Sequence, residues 1–135
     1  MRGSFIDTNV LIYLASEDSA KANLAEKVVA AGGAISVQVL NELANVARRK
    51  MRLSWAETNA LLSAMRELLE VHAITVEVHD TGIELAERYG LSIYDAMIAA
   101  SALQADCDTL WSEDMQAGLV LDDRLRVANP FRNAR

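Results

Sequence analysis

The sequence contains a single cysteine, Cys107, so no intramolecular disulfide can form and a small oxidised scaffold is excluded. One proline in 135 residues, beside 52% hydrophobic content, excludes a proline-rich linker and a disordered chain. Long apolar runs are missing as well. The longest uncharged ones, 10–15 and 28–35, fall far short of the ~20 residues of a membrane-spanning helix. No basic stretch precedes a long apolar run and a cleavage site, so no secretory leader is expected. Aromatic residues make up only 5%, which argues against an RNA reader built on a stacking platform. Basic residues are also in deficit. Thirteen Lys and Arg face nineteen Asp and Glu, for a net charge of −6, which argues against a broad grip on a polyanion.

What remains is a soluble, cytoplasmic domain spanning 1–135, long enough to bury about two-thirds of its surface without a staple. The opening Met1-Arg2-Gly3-Ser4 reads equally as a tagging leader or as native sequence. The rest of the chain alternates short apolar runs with longer helical patterns. Strands are expected at 3–6, 34–36, 71–74 and 109–111, with terminal hairpin or edge pieces at 120–121 and 125–128. Helices are expected at 10–15 and 21–31, and in a segment whose inner face carries Leu40, Leu43, Ala44 and Ala47. Ser54 and Glu57 make a capping-box signature for the next helix, and Ser92 and Asp95 make another ahead of 98–105. A helix at 78–89 carries Gly82 as a weakness and stops at Gly90. This alternation predicts an α/β sandwich with a central, mainly parallel sheet flanked by helices.

In such a sheet, chemistry gathers beyond the carboxyl ends of the strands. Asp7 follows the first strand, Glu42 lies six residues beyond Ser36, and Asp114 lies three residues after Trp111. Parallel topology brings these three toward one edge, and the helix bearing Asp95 can cross to join them. Four such acids repel one another unless a divalent ion sits among them or some stay protonated. Taken singly, each has a plainer explanation. Asp7 forms a turn with Asn9, Asp95 caps a helix, Glu42 sits on a solvated face, and Asp114 is a loop acid.

The segments Phe5-Ile6-Asp7-Thr8-Asn9, Val39-Leu40-Asn41-Glu42, Tyr94-Asp95-Ala96-Met97 and Trp111-Ser112-Glu113-Asp114, in this order, resemble the PIN-domain nuclease family. Within that family the compact chain resembles VapC-type toxins of toxin–antitoxin pairs. The resemblance implies a PIN-like three-layer sandwich and an Mg²⁺-dependent endoribonuclease, with Mn²⁺ as a substitute. The reaction implied is hydrolysis of RNA phosphodiester bonds by metal-activated water, leaving 5′-phosphate and 3′-hydroxyl ends. It also implies a cognate antitoxin as inhibitor, a homodimer and no membrane partner. By position, Asp7, Glu42, Asp95 and Asp114 match the acidic quartet. Thr8, Asn9 and Ser112 match the supporting polar positions, Ser112 standing where threonine is more usual. Hard oxygen donors suit Mg²⁺ or Mn²⁺. Direct ligation is expected first of Asp7 and Asp114, then of Asp95 directly or through water, with Glu42 positioning water or a second ion.

Arg48, Arg49, Lys50 and Arg52 are candidate RNA-backbone contacts, and equally a helix C-terminal charge preference. Arg124, Arg126, Arg132 and Arg135 make the tail basic, diluted by Asp122 and Asp123. His72 and His79 match no metal spacing, Cys107 reads as a buried filler, and Trp55, Trp111, Tyr89 and Tyr94 read as core or interface anchors. Three other readings compete. A phosphatase of the haloacid-dehalogenase kind wants an aspartate where Asn9 stands, and a receiver domain wants paired acids and a late lysine. A non-catalytic α/β interaction module would tolerate loss of Asp7 or Asp95.

Overall fold

The first two short apolar runs of this sequence end at Asp7 and Ser36, each able to cap a helix, and the computed structural model, which describes residues 3–132, shows the outcome. Met1, Arg2 and Arg135, parts of the leader and tail readings above, lie outside the described residues. Strand β1 (Ser4–Ile6) runs into Asp7, whose side chain caps α1 (Thr8–Ile12), continued by a 3-10 turn at Tyr13–Ala15. Then follow α2 (Ser19–Ala30), β2 (Ala34–Ser36) and α3 (Val37–Arg49), the last capped by Ser36. Next come α4 (Trp55–Leu68), β3 (Glu70–His72), α5 (Val76–Tyr89) and α6 (Ile93–Gln104). Strands β4 (Thr109–Trp111), β5 (Val120–Leu121) and β6 (Leu125–Ala128) close the chain.

The six strands form one sheet in the order β3-β2-β1-β4-β6-β5. All pairings are parallel except β5 with β6, so the expected terminal hairpin forms, but β6 lies inside the sheet, and the edges are β5 and β3. Six helices flank this sheet, and Phe5, Ile6, Ile35, Leu110 and Val127 are buried at its centre. Each such side chain contributes roughly 1.5–3 kcal/mol. No helix among the described residues is long and apolar enough to cross a membrane.

Several boundaries differ from the sequence reading for local reasons. Helix α1 begins at Thr8 rather than residue 10, because Asp7 accepts from Thr8 N at 2.7 Å and starts the helix early. Strand β3 ends at His72, since Thr75 takes the cap of α5 and leaves Ile74 exposed. Helix α6 begins directly after Ser92, where the Ser92–Asp95 pair marks its start, and puts Asp95 in its first turn. Of the two capping boxes, only Ser54 with Glu57 closes both halves. Gly82, a weakness by propensity, serves packing instead. A Cβ there would stand 2.6 Å from Met97 Sδ, so the glycine lets α5 lie close against α6.

Gly33 does comparable work at the sheet. Its φ is +149°, and a Cβ would lie 2.8 Å from the Ser4 carbonyl oxygen. A flexible side chain can move aside, but a strand carbonyl cannot. Gly33→Ala is therefore expected to destabilise the fold by on the order of 2–3 kcal/mol. A urea midpoint equal to the wild type would contradict this.

Candidate active site

The strand order fixes where the site lies. From β1 the chain steps outward to β2 and β3, then crosses to the other side of β1 at β4. Strands β1 and β4 therefore flank the point at which a doubly wound sheet reverses, and their carboxyl ends open a crevice there. Asp7 follows β1 and Ser112 follows β4, and Asp7 N donates to Trp111 O at 2.9 Å across the junction.

Local chemistry then holds each group. Asp7 is 5% exposed, and its Oδ2 accepts from Ser112 Oγ at 2.9 Å and from Asn9 Nδ2 at 3.1 Å. Ser112 Oγ in turn accepts from Met115 N at 3.2 Å, which pins the loop after β4. Asn9 works in both directions, since its Oδ1 accepts from Glu113 N at 2.9 Å. From α3, Glu42 reaches the same place beside buried Val39 and Leu43, and its Oε1 accepts from Thr8 Oγ1 at 2.8 Å. Asp95 sits in the first turn of α6, where Ser92 Oγ accepts from its backbone N at 3.2 Å.

These groups line one cavity of about 190 Å³. Asp7, Glu42, Asp95 and Asp114 surround it with Thr8 and Asn9, and Ile12 and Val46 supply an apolar wall. Ser112 stands just behind, buried against Asp7. The carboxylates also feel one another. Burial is the main cause raising the Asp7 carboxyl from 3.8 to about 6; bonds from Ser112 and Thr8 oppose it, and Asp95 and Glu42 add to it. Burial likewise raises Asp95, opposed by Ser92 and reinforced by Asp114.

The basic cluster stands apart. Arg48 and Arg49 lie in a separate recess with Trp55, and neither lines the acidic cavity. Arg48 is occupied, donating to Leu53 O at 2.7 Å and stacking 4.2 Å from the Trp55 ring centroid. Lys50 and Arg52 are exposed at the end of α3 and beyond it. Two of the expected anchors are not in the core: Trp55 is 63% exposed and Tyr94 70%. Tyr89 and Trp111 are partly buried, Cys107 is buried with its thiol pushed up to about 11 chiefly by desolvation, and His72 pairs with Glu70 at 2.9 Å.

Three neighbours escaped the sequence reading. Glu113 accepts from Tyr13 OH at 2.6 Å and from Lys21 Nζ at 2.8 Å, and Lys21 lies 4.6 Å over the Tyr13 ring. This knot fastens the loop bearing Asp114 to the 3-10 turn after α1 and to α2. Burial pushes the Glu113 carboxyl up, but bonds from Lys21 and Tyr13 hold it below its ordinary value. No local pattern announces it, because its partners lie 92 and 100 residues away.

The donor set suits a hard divalent cation: carboxylate oxygens, a polar cavity and a buried acid whose charge is poorly tolerated. Among the described residues, no group of three or more His, Cys, Asp or Glu side chains is arranged to hold an ion by itself. The fit is to an ion such as Mg²⁺, which keeps several waters and takes one or two carboxylates rather than a full protein cage.

The family model for the PIN domain matches residues 4–117. Among solved structures, the fold is similar to a toxin–antitoxin complex from Klebsiella pneumoniae, with TM-score 0.72, 20% identity, and coverage of 94% of this chain and 97% of that one. It is similar to FitAcB from Neisseria gonorrhoeae, with TM-score 0.69, 18% identity, and coverage of 96% and 99%. VapC20 from Mycobacterium tuberculosis, a sarcin–ricin-loop-cleaving toxin, gives TM-score 0.66, 18% identity, and coverage of 82% and 89%. Comparison with curated proteins finds no match.

Proposed function

Because the chain belongs to the PIN domain family, we propose that it is a metal-dependent endoribonuclease of the VapC toxin type, restrained by a cognate antitoxin. The observation that carries this reading is the convergence of Asp7, Glu42, Asp95 and Asp114, from four separate segments, on one cavity at the sheet's switch point. The likeness to toxin–antitoxin structures supports the antitoxin, and the likeness to a toxin that cleaves the sarcin–ricin loop supports RNA as substrate.

In this reading Asp7 and Asp114 hold Mg²⁺ or Mn²⁺, Asp95 adds a direct or water-mediated oxygen, and Glu42 orients water. When bound, the ion supplies positive charge for the phosphate and leaving oxygens and acidifies water. The chain's own groups do the rest. Ser112 and Asn9 fix Asp7 Oδ2, so the carboxylate presents a set direction to the cavity. Thr8 occupies Glu42 Oε1, which leaves Oε2 to accept a proton from the attacking water. Ile12 and Val46 make one wall apolar, which strengthens the charges opposite. The serine at 112 keeps the hydroxyl that this wiring needs.

The reading includes a homodimer in the cytoplasm. Val76 and Ile83, 77% and 41% exposed, stand seven residues apart on one face of α5 and supply an apolar surface for it. The net charge of −6 suits a basic antitoxin segment. The test uses protein freed of antitoxin, incubated with total RNA and Mg²⁺, with the 5′ ends of the products mapped. Discrete cuts bearing 5′-phosphates are expected. The same cuts from an equally purified Asp7→Asn preparation would sink the mechanism and support a non-catalytic module.

A further inference from the structure

The four acids of the cavity are not held alike. Asp7 accepts three hydrogen bonds and Glu42 one, while among the described residues nothing bonds the Asp114 carboxylate. Asp95 rides on the first turn of α6, so a helix sets its backbone. Asp114 has no such support. It is exposed, in the stretch between β4 and β5 that is neither helix nor strand. A carboxylate there faces a cation reproducibly only if the backbone on either side is fixed.

Both sides are fixed. Ser112 N donates to Ala128 O at 2.9 Å, and Glu113 N donates to Asn9 Oδ1 at 2.9 Å. Met115 buries its side chain, and its N donates to Ser112 Oγ at 3.2 Å. The grip on the Glu113 side chain comes from farther away. Its two oxygens are taken by different donors, Oε1 by Tyr13 OH and Oε2 by Lys21 Nζ. The carboxylate therefore does not rotate or swing without breaking a charge-assisted bond. Lys21 is itself fixed, donating to Tyr13 OH at 3.1 Å and lying 4.6 and 5.6 Å from the ring centroids of Tyr13 and Phe131. Those two rings meet edge to face at 4.7 Å, and Phe131 is buried.

The magnitudes separate two uses for this cluster. The Lys21 and Glu113 side chains keep about a quarter of their exposure, and ion pairs in contact with water add little to stability. What the pair does add is direction, to the residue immediately before Asp114. None of Tyr13, Lys21, Glu113 and Phe131 lines the acidic cavity, so any effect there is transmitted through the loop.

We propose that Tyr13, Lys21, Glu113 and Phe131 form a clamp that positions Asp114 for a divalent cation, with Lys21 and Glu113 as positioning residues. The inference rests on the metal-dependent reading and adds to it residues outside the acidic quartet and its polar neighbours. It also accounts for a fifth acid beside Asp114, which is tied away from the cavity instead of adding to its negative charge.

The experiment titrates Mn²⁺ alone into the full chain, freed of antitoxin, and reads the unbound ion by electron paramagnetic resonance. Lys21→Met and Glu113→Ala are each expected to weaken Mn²⁺ binding about 10- to 100-fold. These substitutions change the charge beside the cavity in opposite senses. A purely electrostatic effect would strengthen binding in Lys21→Met and weaken it in Glu113→Ala, whereas loss of the clamp weakens both. The double variant should bind no worse than the poorer single one, because both remove the same contact. Lys21→Arg keeps a charged donor and should stay within about threefold of the parent. In cleavage assays the Mg²⁺ concentration giving half the maximal rate should rise by the same factor, while KM for RNA at saturating Mg²⁺ is unmoved.

Mn²⁺ affinity within about twofold of the parent in both single variants overturns the proposal. So does tighter binding by Lys21→Met, or a double variant whose loss is the product of the single losses. Should Lys21→Met fail to fold, Tyr13→Phe keeps the ring and deletes one bond, and parent-like affinity in it overturns the proposal equally. The two readings fail differently. A parent that binds no Mn²⁺ removes the metal-dependent reading and the clamp with it. Clamp-dependent Mn²⁺ binding in a chain that leaves all RNA uncut removes the ribonuclease and keeps the clamp.

Discussion

An Asp7→Asn protein is expected to cut RNA at least about a thousandfold more slowly than the wild type, and to be the more stable of the two without metal. The rate loss follows from position. Asp7 is the one buried acid of the cavity, and it is held by Thr8 N, Asn9 and Ser112. Losing charge stabilisation worth about 4 kcal/mol at the reacting phosphate corresponds to a thousandfold. The stability gain follows from burial. A carboxyl at about 6 in the folded chain, against 3.8 outside it, carries a penalty of about 3 kcal/mol at pH 7. Asparagine removes the charge, but its amide nitrogen cannot accept, so at least one of the three hydrogen bonds is lost and a net gain of about 1–2 kcal/mol is expected. Denaturant midpoints in EDTA at pH 7 check this. An inactive variant that is less stable would mean that activity was lost through misfolding.

Chelation of divalent cations is expected to stop cleavage by a comparable factor, with recovery on adding Mg²⁺ or Mn²⁺. The chelated protein should also show a characteristic response to pH. Between about 3.8 and about 6 the folded chain holds a proton on Asp7 that the unfolded chain has released. Its contribution is therefore fully present at low pH and lost as pH rises through about 6, so Asp7 lowers stability across that window. A cation at 100 times its dissociation constant restores about 2.7 kcal/mol at neutral pH, where the carboxylate is free to bind it. Melting temperatures from pH 4 to 8, with and without Mg²⁺, should converge at the acid end and diverge at the neutral end. Parallel curves, or RNA cut equally well in EDTA, would contradict the assignment.

Much of this architecture is legible because each element carries its own local signal. Asp7 and Ser36 end apolar runs and cap helices, Gly90 takes the left-handed conformation that stops α5, and β5 and β6 lie at the residues their apolar pattern marks. The acids are legible by their order along a βα alternation. Their wiring is not. The bond from Thr8 to Glu42 spans 34 residues, and the knot of Tyr13, Lys21 and Glu113 spans about a hundred. Neither has a period or spacing to betray it. Arg48 misleads in the opposite sense, because basic residues at a helix end suggest a phosphate contact, while the fold turns this one onto Trp55 and Leu53 O. Tyr94 misleads through its rarity. In a chain with few aromatics each is expected as a core or interface anchor, yet the polar Ser92 and the acid Asp95 keep this turn of α6 out of the core.

The placement of β4 beside β1 has a consequence in time. Asp7 is made 105 residues before Ser112, which fixes it, and earlier still than Asp114, which lines the same cavity. Because a chain folds as it emerges, the growing polypeptide carries Asp7 apart from these partners until β4 has been made. The cavity closes only when β4 slides into the gap beside β1. The assembled site therefore exists only once the residues that follow β4 are made, well after Asp7, Glu42 and Asp95.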